Sequence, residues 1–135
     1  MFPDDLTTDV LVAALRGHDA RNAALANNIA NAETPGYRRL DVSFEAALAE
    51  AVENDRAALR PDPRIPQLPS ASSHEVADSS PAVRSVDATV LRADGSNVDP
   101  DDEMAQLSAN QLAHQTVTSL LDKRLSQFRT AILGR

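Results

Sequence analysis

The stretch that decides the fold is Ala26-Asn27-Asn28-Ile29-Ala30-Asn31-Ala32-Glu33-Thr34-Pro35-Gly36-Tyr37. It contains three asparagines within five residues, although asparagine side chains compete with the hydrogen bonds of a helical backbone. Pro35 presets φ for the second position of a turn, and Gly36 can supply the positive φ that a type II turn needs next. Pro35 also disfavours a helical conformation at Thr34. The stretch therefore predicts a helix that ends by about Thr34 and a sharp turn after it.

The composition restricts the classes of protein that the chain can represent. Its 135 residues suffice for one ordinary domain. A net charge of −7 argues against binding to nucleic acid or to anionic lipid, since both require a cationic surface. Aromatic residues make up only 3%, and the apolar residues are mostly Leu, Val and Ala, which favour narrow helical contacts over a thick core. The sequence has no Cys, which excludes disulfides, thiolate catalysis and cysteine metal sites.

The beginning of the chain lacks the pattern of a secretory signal. Met1-Phe2-Pro3-Asp4-Asp5 is acidic where a signal peptide is basic, and the apolar run over residues 10–15 is short. No apolar run approaches the roughly 18 residues that span a bilayer. We expect neither a cleaved signal peptide nor a membrane-spanning helix.

A first helix is predicted from about Thr8 to Ala32. Its apolar positions, spaced for one helical face, are Leu11, Leu15, Leu25 and Ile29. The same spacing puts His18 and Asn22 between them, so the stripe has apolar ends and a polar middle. Gly17 costs about 1 kcal/mol relative to Ala inside a helix. It either permits the close approach of another backbone or is a tolerated weak point.

The middle of the chain reads as short elements joined by a linker. Alternation of Leu40, Val42 and Phe44 predicts a short strand, and residues 45–59 predict a helix. Residues 60–84, rich in Pro and Ser, are expected to be extended or disordered and to contribute little to a core. The Asp94-Gly95 pair predicts a small β-hairpin within residues 85–99.

The C-terminal helix carries clear signals at both ends. Asp99 is a predicted N-cap, Pro100 suits the first helical position, three acidic residues follow, and Gly134 ends the helix. One series of positions along this helix, apolar at its ends and polar in its middle, is spaced by alternating steps of three and four residues. This spacing is typical of a coiled coil. These predicted seam positions are Met104, Leu107, Gln111, His114, Thr118, Leu121, Leu125, Phe128 and Ile132.

Together these elements predict a mainly α fold in which the long N- and C-terminal helices pair as a coiled-coil-like hairpin. The predicted segments are residues 1–37 (helix and turn motif), 38–59 (strand and short helix), 60–84 (linker), 85–99 (β-hairpin) and 100–135 (helix). At 1.5 Å per residue the helices are roughly 36 and 50 Å long, so the second overhangs the first by about 15 Å. The seams bury little apolar area, so the isolated monomer is predicted to be largely unfolded or molten until neighbouring subunits complete it. The polar middle either controls helix register or faces solvent or another subunit.

The Asn-rich stretch and its Pro-Gly-Tyr turn resemble the signature of the bacterial flagellar rod, hook and hook-associated proteins. The resemblance is strongest to the proximal rod proteins, and it extends to Asp94-Gly95-Ser96-Asn97-Val98-Asp99 and to the terminal helix. Glu33 and Ser96 depart from the pattern, since both positions usually hold Asn, and the linker matches nothing. The resemblance covers about two thirds of the chain.

The resemblance implies a structural subunit of the flagellar basal body that assembles into a helical tube and transmits motor torque. Its implied partners are further copies of itself, the rod proteins FlgC and FlgF, the adaptor FliE and, in transit, the type III export apparatus. Assembly would take place in the periplasm after export without a cleaved signal. The implied assembly motif is Asn27, Asn28, Ile29, Asn31, Pro35, Gly36 and Tyr37. Its asparagines are expected to bond laterally, either to the C-terminal helix or to a neighbouring subunit.

Other functions fit the residues less well. The three histidines, His18, His74 and His114, are far apart in sequence and form no metal or catalytic spacing. We therefore predict no enzyme, no cofactor, no metal and no small-molecule substrate. Helix capping explains Asp101, Asp102 and Glu103, and a solvated or intersubunit salt bridge explains Arg38-Arg39. The alternative from another class is a soluble helical adaptor or regulatory module that forms a small, defined oligomer.

Overall fold

The computed structural model describes residues 6–58, 76, 80–86 and 95–134. In chain order its elements are α1 (Leu6–Ala30), β1 (Leu40–Ser43), α2 (Glu45–Ala58), β2 (Ala82–Ser85) and α3 (Pro100–Leu133). Two long terminal helices, a short helix and a two-stranded antiparallel sheet confirm the predicted fold class. The described residues contain no helix that is both long enough and apolar enough to cross a membrane.

Both ends of α3 form as the sequence predicts. Asp99 is extended, and its Oδ1 accepts a hydrogen bond of 3.0 Å from the backbone N–H of Asp101. Pro100 follows at the start of the helix, where its missing N–H is no loss. At the other end Gly134 has φ 68° and donates its N–H to the carbonyl of Thr130 at 2.9 Å. The helix has 34 residues and is about 51 Å long.

Helix α1 lies antiparallel to α3 and is shorter. It has 25 residues, beginning two residues before the predicted Thr8 and ending two before Ala32. Asn28 meets Glu103 near one end, and His18 meets Asn110 further along. Continued at the same offset, Leu6 lies level with about residue 123–125 of α3. The last two turns of α3 therefore project about 12 Å beyond the first described residue of α1.

The face of α3 that packs on α1 differs from the predicted seam at alternate positions. Glu103 and Asn110 are its buried residues, whereas the predicted Met104 and Gln111 lie exposed one position later. One residue is a 100° rotation about the helix axis, which carries a side chain off the contact face. The apolar spacing selects Met104, but the contact is occupied by the buried carboxylate of Glu103, whose partners are Asn28 on α1 and Arg39 just before β1. Of the remaining predicted seam positions of α3, the half-buried ones are Leu107, His114, Thr118, Leu121 and Phe128, and the exposed ones are Leu125 and Ile132.

The polar middle of the helix pair contains bonds between the two helices. Asn110 donates its Nδ2 to the carbonyl of His18 at 3.0 Å, which turns its Oδ1 toward His18 Nδ1 at 2.8 Å. That oxygen only accepts, so His18 carries a proton on Nδ1. His114 Nε2 lies 3.1 Å from Asp19 Oδ1 one turn away. These contacts exist in one register only and support register control, whereas the predicted seam residue Gln111 faces outward.

The sheet joins two segments that are far apart in sequence. Leu40 pairs with Ser85 and Val42 with Val83, antiparallel, and the buried Val42 alternates with exposed Asp41 and Ser43. The strand predicted over Leu40, Val42 and Phe44 is thus present, although its partner lies at the end of the predicted linker. Within the predicted hairpin region, Val86 and residues 95–99 are not in a strand, and residues 87–94 lie outside the described residues.

The core lies between α1 and the β1–α2 segment, and half of the buried residues in its two clusters are alanine. One cluster contains Ala13, Ala51 and Val76, and a second contains Ala24, Val42 and Phe44. Val76 is 0% exposed, although it belongs to the segment from which we expected little core contribution. The prediction rested on the average composition of residues 60–84, which is rich in Pro and Ser, and this average does not reveal one buried valine. The rest of that segment up to residue 79 lies outside the described residues.

Candidate functional site: a polar joint between the terminal helices

The turn after α1 has the predicted geometry. The helix ends at Ala30, and Asn31 donates its Nδ2 to the backbone carbonyl of Asn27 at 2.8 Å. Thr34 to Tyr37 forms a turn in which the Tyr37 N–H donates to the Thr34 carbonyl at 3.2 Å. Gly36 has φ 71°, as the third residue of a type II turn requires. The turn reverses the chain and directs β1 back across the end of α1.

Asn28 is the central residue of the assembly motif. Its side chain is 0% exposed and bonds to the backbone of Leu40 in both directions. Nδ2 donates to the Leu40 carbonyl at 2.8 Å, and Oδ1 accepts the Leu40 N–H at 2.8 Å. The amide thus replaces a neighbouring strand for this residue of β1, because it offers one donor and one acceptor at the spacing of a peptide group.

Glu103 connects this pair to α3. Asn28 donates its second Nδ2 hydrogen to Glu103 Oε2 at 2.9 Å, and Arg39 forms an ion pair with Oε1 through Nε. The carboxylate side chain is 1% exposed, whereas that of Arg39 is partly exposed. Arg39 also donates Nη2 to Gln106 Oε1 at 2.9 Å. A buried carboxylate needs such partners because its charge is costly to desolvate.

Asn97 extends the sheet beyond its last strand pair. Its Oδ1 accepts the N–H of Arg39 at 2.7 Å, and its Nδ2 donates to the carbonyl of Val86 at 2.8 Å. Val86 in turn donates its N–H to the Arg39 carbonyl at 2.8 Å. A second buried asparagine therefore bridges both strands and joins them to the residues just before α3. We call Asn28, Tyr37, Arg39, Asn97 and Glu103 the polar joint.

Tyr37 closes the polar joint on the turn side. Its hydroxyl donates to Asn28 Oδ1 at 3.2 Å and lies 3.4 Å from Asn27 Oδ1. Burial raises the pKa of Tyr37, and the negative charge of Glu103 adds to the effect. The phenol is therefore held in the protonated form that can donate.

A second polar contact fastens α2 to α1. Arg21 donates Nη2 to Glu45 Oε2 at 2.8 Å and to the carbonyl of Val42 at 2.7 Å. The hydrogen bond from Arg21 lowers the pKa of Glu45 to about 2, against an opposing effect of partial burial. The guanidinium also lies 4.9 Å from the centroid of the Phe44 ring. This contact fixes the first turn of α2.

The predicted motif residues divide into buried and surface positions. Asn28 bonds to α3, which is the first of the two lateral partners that we expected. Asn27, Pro35 and Gly36 are exposed, while Asn31 and Tyr37 are half-buried. The predicted seam residues of α1 lie inward: Leu25 is buried, and Leu11, Leu15 and Ile29 are half-buried.

Sequence reasoning missed three members of the polar joint. Glu103 was assigned to helix capping, but it is buried and paired with Arg39 of the same chain. For Arg38 and Arg39 we expected a solvated or intersubunit salt bridge. Arg38 is exposed, but Arg39 is half-buried and pairs with Glu103 of the same chain. Asn97 was noted only as part of a resemblance. The usable signal was helical spacing: Glu103 lies four residues before the predicted seam residue Leu107, and Asn110 three residues after it, so all three share one face of α3.

The polar joint has the chemistry of a structural connection. Its side chains bond to one another and to the backbone of Leu40 and Val86, so they join α1, the two strands and the start of α3. Among the described residues, no three His, Cys, Asp or Glu side chains are grouped so that they could hold a metal ion. The arrangement instead fixes the angle between the helix pair and the sheet.

Comparisons with known proteins show the family to which the chain belongs. The family described as flagella basal body rod protein matches residues 9–38, which include most of α1 and the turn. The chain is 33% identical over 98% of its length to the flagellar basal body rod protein FlgB of Cereibacter sphaeroides, covering 97% of that protein. The chain belongs to the FlgB family of flagellar basal body rod proteins.

Two further members of the FlgB family come from distant bacteria. The FlgB protein of Salmonella typhimurium is 34% identical, with 90% of this chain and 88% of that protein covered. That of Bacillus subtilis is 30% identical, with 95% and 94% covered. This rod protein is therefore a structural subunit of the flagellar basal body.

Proposed function

We propose that this subunit forms the proximal part of the rod, where copies assemble into a helical tube that transmits motor torque to the hook. The observation that carries the proposal is the surface of α3. Among the described residues, seven large apolar side chains are exposed, and six of them lie on this helix. Exposed large apolar side chains concentrated on one helix are candidate contacts with neighbouring subunits. The six are Met104, Leu112, Leu120, Leu125, Ile132 and Leu133.

The core supports the same proposal. Alanine supplies half of the buried side chains in the two clusters, so each contact buries little area and contributes little free energy. The polar joint, by contrast, holds α1, β1 and α3 in one arrangement. A subunit of this kind has a fixed shape at the joint and gains most of its stability from neighbours. Such a division suits a part that must transmit force without a large core of its own.

The proposal includes location and partners. The subunit lies in the periplasm above the membrane ring, against further copies of itself, FlgC, FlgF and FliE. It reaches that site through the type III export apparatus and keeps its N-terminus. The names of the relatives support a location in the basal body. A chain without Cys can also pass into an oxidising compartment without forming disulfides. The same proposal assigns the chain no catalytic role, no nucleic acid and no small-molecule substrate.

A deletion strain tests the proposal. Cells without the chain should export no hooks or filaments and should yield no intact rods, and a plasmid copy should restore both. Intact rods in the deletion strain would rule out the structural role. A small, defined oligomer in the cytoplasm would instead favour the adaptor alternative. Mass spectrometry of the subunit in purified basal bodies should find its N-terminal residues uncleaved.

A further inference from the structure

The structure contains a projecting helix end and, elsewhere on the surface, a groove of matching chemistry. The last two turns of α3 extend beyond the first described residue of α1, and Ile132 is 75% exposed. Leu125, Phe128 and Ile132 are spaced i, i+3 and i+7, which places them along one side of the helix. This is the spacing of anchors with which an amphipathic helix enters a groove.

The groove lies between α1 and α2 and has a volume of about 500 Å³. Val10 and Ala14 of α1 form one wall, and Leu48, Ala49 and Val52 of α2 form the other. The lining is mostly apolar, and the volume is within the range of sites that bury several groups of a ligand. The projecting end of α3 cannot fold back into the groove of its own chain, because α3 is one continuous helix up to Leu133.

The charges of the two surfaces are opposite. Residues 123–134 of the projecting end contain Lys123, Arg124 and Arg129 and no acidic residue. Residues 45–54 of α2 contain three glutamates and no basic residue. Glu53 borders the groove, as does Glu45, whose carboxylate is paired with Arg21. Opposite potentials steer two surfaces into contact and fix their orientation.

We propose that the projecting end of α3 docks into the α1–α2 groove of the next copy of this chain. The inference rests on the proposed role as a repeating rod subunit. Because the helix end and the groove are different surfaces, the contact is head-to-tail and leaves one of each unused at the two ends of any chain of copies. A contact of this kind generates an open helical assembly unless its rotation closes a ring. The docking thus supplies one of the repeating contacts of a tube.

Cysteine cross-linking in cells tests the docking, since the chain has no cysteine of its own. Two differently tagged copies, one with Ile132→Cys and one with Ala49→Cys, are expressed together in the deletion strain. A disulfide requires Cα atoms within about 7 Å, so a mixed dimer reports direct contact. The matched control replaces Ala49→Cys by Ala109→Cys. Ala109 is also an exposed alanine, and it lines a groove of about 460 Å³ between α1, β1 and α3.

The expected result is a mixed dimer with Ala49→Cys and several-fold less with Ala109→Cys. Equal yields, a preference for Ala109→Cys, or Ile132→Cys bonding to a different rod protein would each overturn the proposal. If the cysteine variants do not assemble, the charge pair decides. Arg129→Glu should weaken assembly, and Glu53→Arg in the same chain should restore it; no restoration would count against the docking. If cells with the cysteine variants build rods but show no cross-link, the docking is refuted and the proposed function is not. If the deletion strain builds intact rods, the proposed function is refuted.

Discussion

The ring of Phe44 lies directly against the backbone of Gly17. A Cβ atom at residue 17 would stand 2.3 Å from Cδ2 of that ring, far inside the contact distance of two carbon atoms. The ring is buried there, edge-on to His18 with centroids 5.2 Å apart. Gly17 is therefore the position that lets the residue before α2 seat against α1.

Gly17→Ala should destabilise the subunit. Ala favours a helix by about 1 kcal/mol over Gly, but the clash with Phe44 should cost roughly 1–3 kcal/mol and displace the start of α2. The measurement is the midpoint of folding induced by trimethylamine N-oxide, which favours burial, followed by circular dichroism. The midpoint should move to higher osmolyte concentration. In a Phe44→Leu background the same change should cost less, because the two residues are in contact; purely additive effects would contradict the close packing.

Gly17 also shows where sequence reasoning ended. A glycine within a helix left two interpretations open, the close approach of another backbone or a tolerated weak point. The structure shows a close approach, but it is made by the side chain of Phe44, 27 residues away, and not by a backbone. The caps of α3 and the turn at Gly36 were predictable because each depends on a few adjacent residues. The contact face of α3 was not predictable in this way. Glu103 and Asn110 are polar, and they are buried because they bond to residues of other elements. Val76 was missed for the same reason, as its contacts with Ala13 and Ala51 are long-range.

Asn28 and Asn27 should respond very differently to the same substitution. Asn28→Ala removes the partners of the Leu40 N–H and carbonyl and one partner of Glu103, and unsatisfied buried groups cost about 1–3 kcal/mol each. We expect a loss of roughly 2 kcal/mol or more in the osmolyte titration. Asn27 is exposed, so Asn27→Ala is the matched control and should change stability by less than about 1 kcal/mol.

Asn28→Asp separates the donor role of this residue from its size. The carboxylate could still accept from the Leu40 N–H, but it could not donate to the Leu40 carbonyl or to Glu103, and it would repel the charge of Glu103. It should therefore be at least as harmful as Asn28→Ala at neutral pH. An Asn28→Asp subunit with normal stability would refute the bonding assigned to Asn28.

The contact between Arg21 and Glu45 should give stability a defined dependence on pH. The hydrogen bond from Arg21 lowers the pKa of Glu45 from 4.5 to about 2 in the folded chain. A carboxyl with a lowered pKa stabilises the fold above its unfolded value of 4.5, and this contribution is lost as the pH falls toward 2. The Glu45 side chain is 57% exposed, so solvent screening limits the contribution to about 0.2–1 kcal/mol.

The comparison that isolates this effect is wild type against Glu45→Gln. Their difference in folding midpoint should be full above about pH 4.5, shrink below it and vanish near pH 2. High salt should reduce the difference at neutral pH. Glu50→Gln, at an exposed position of the same helix, controls for the loss of one negative charge. A difference for Glu45→Gln that persists unchanged at pH 2 would show that the ion pair is not its cause.

Without an osmolyte, the free subunit should gain helix as copies associate. Alanine supplies half of the buried side chains in the two core clusters, and six large apolar residues of α3 are exposed, so the isolated chain buries little apolar area. Circular dichroism of dilute protein should show weak helicity that rises with protein concentration. A cooperative melt with the same midpoint at every concentration would show that the monomer folds alone and would contradict assembly-coupled folding.

Substitutions at Gly36 should reveal how much the assembly depends on the turn. The backbone there has φ 71°, and a Cβ atom would meet nothing within 4 Å, so any loss comes from the backbone conformation and not from a clash. The left-handed region costs a residue with a Cβ about 1–2 kcal/mol, but Asn tolerates it and a β-branched residue does not. Motility and rod yield should therefore fall in the order Asn, Ala, Val, with Gly36→Val blocking assembly while expression and export stay measurable. Normal swimming by Gly36→Val cells would mean that the corner between α1 and β1 does not need this turn.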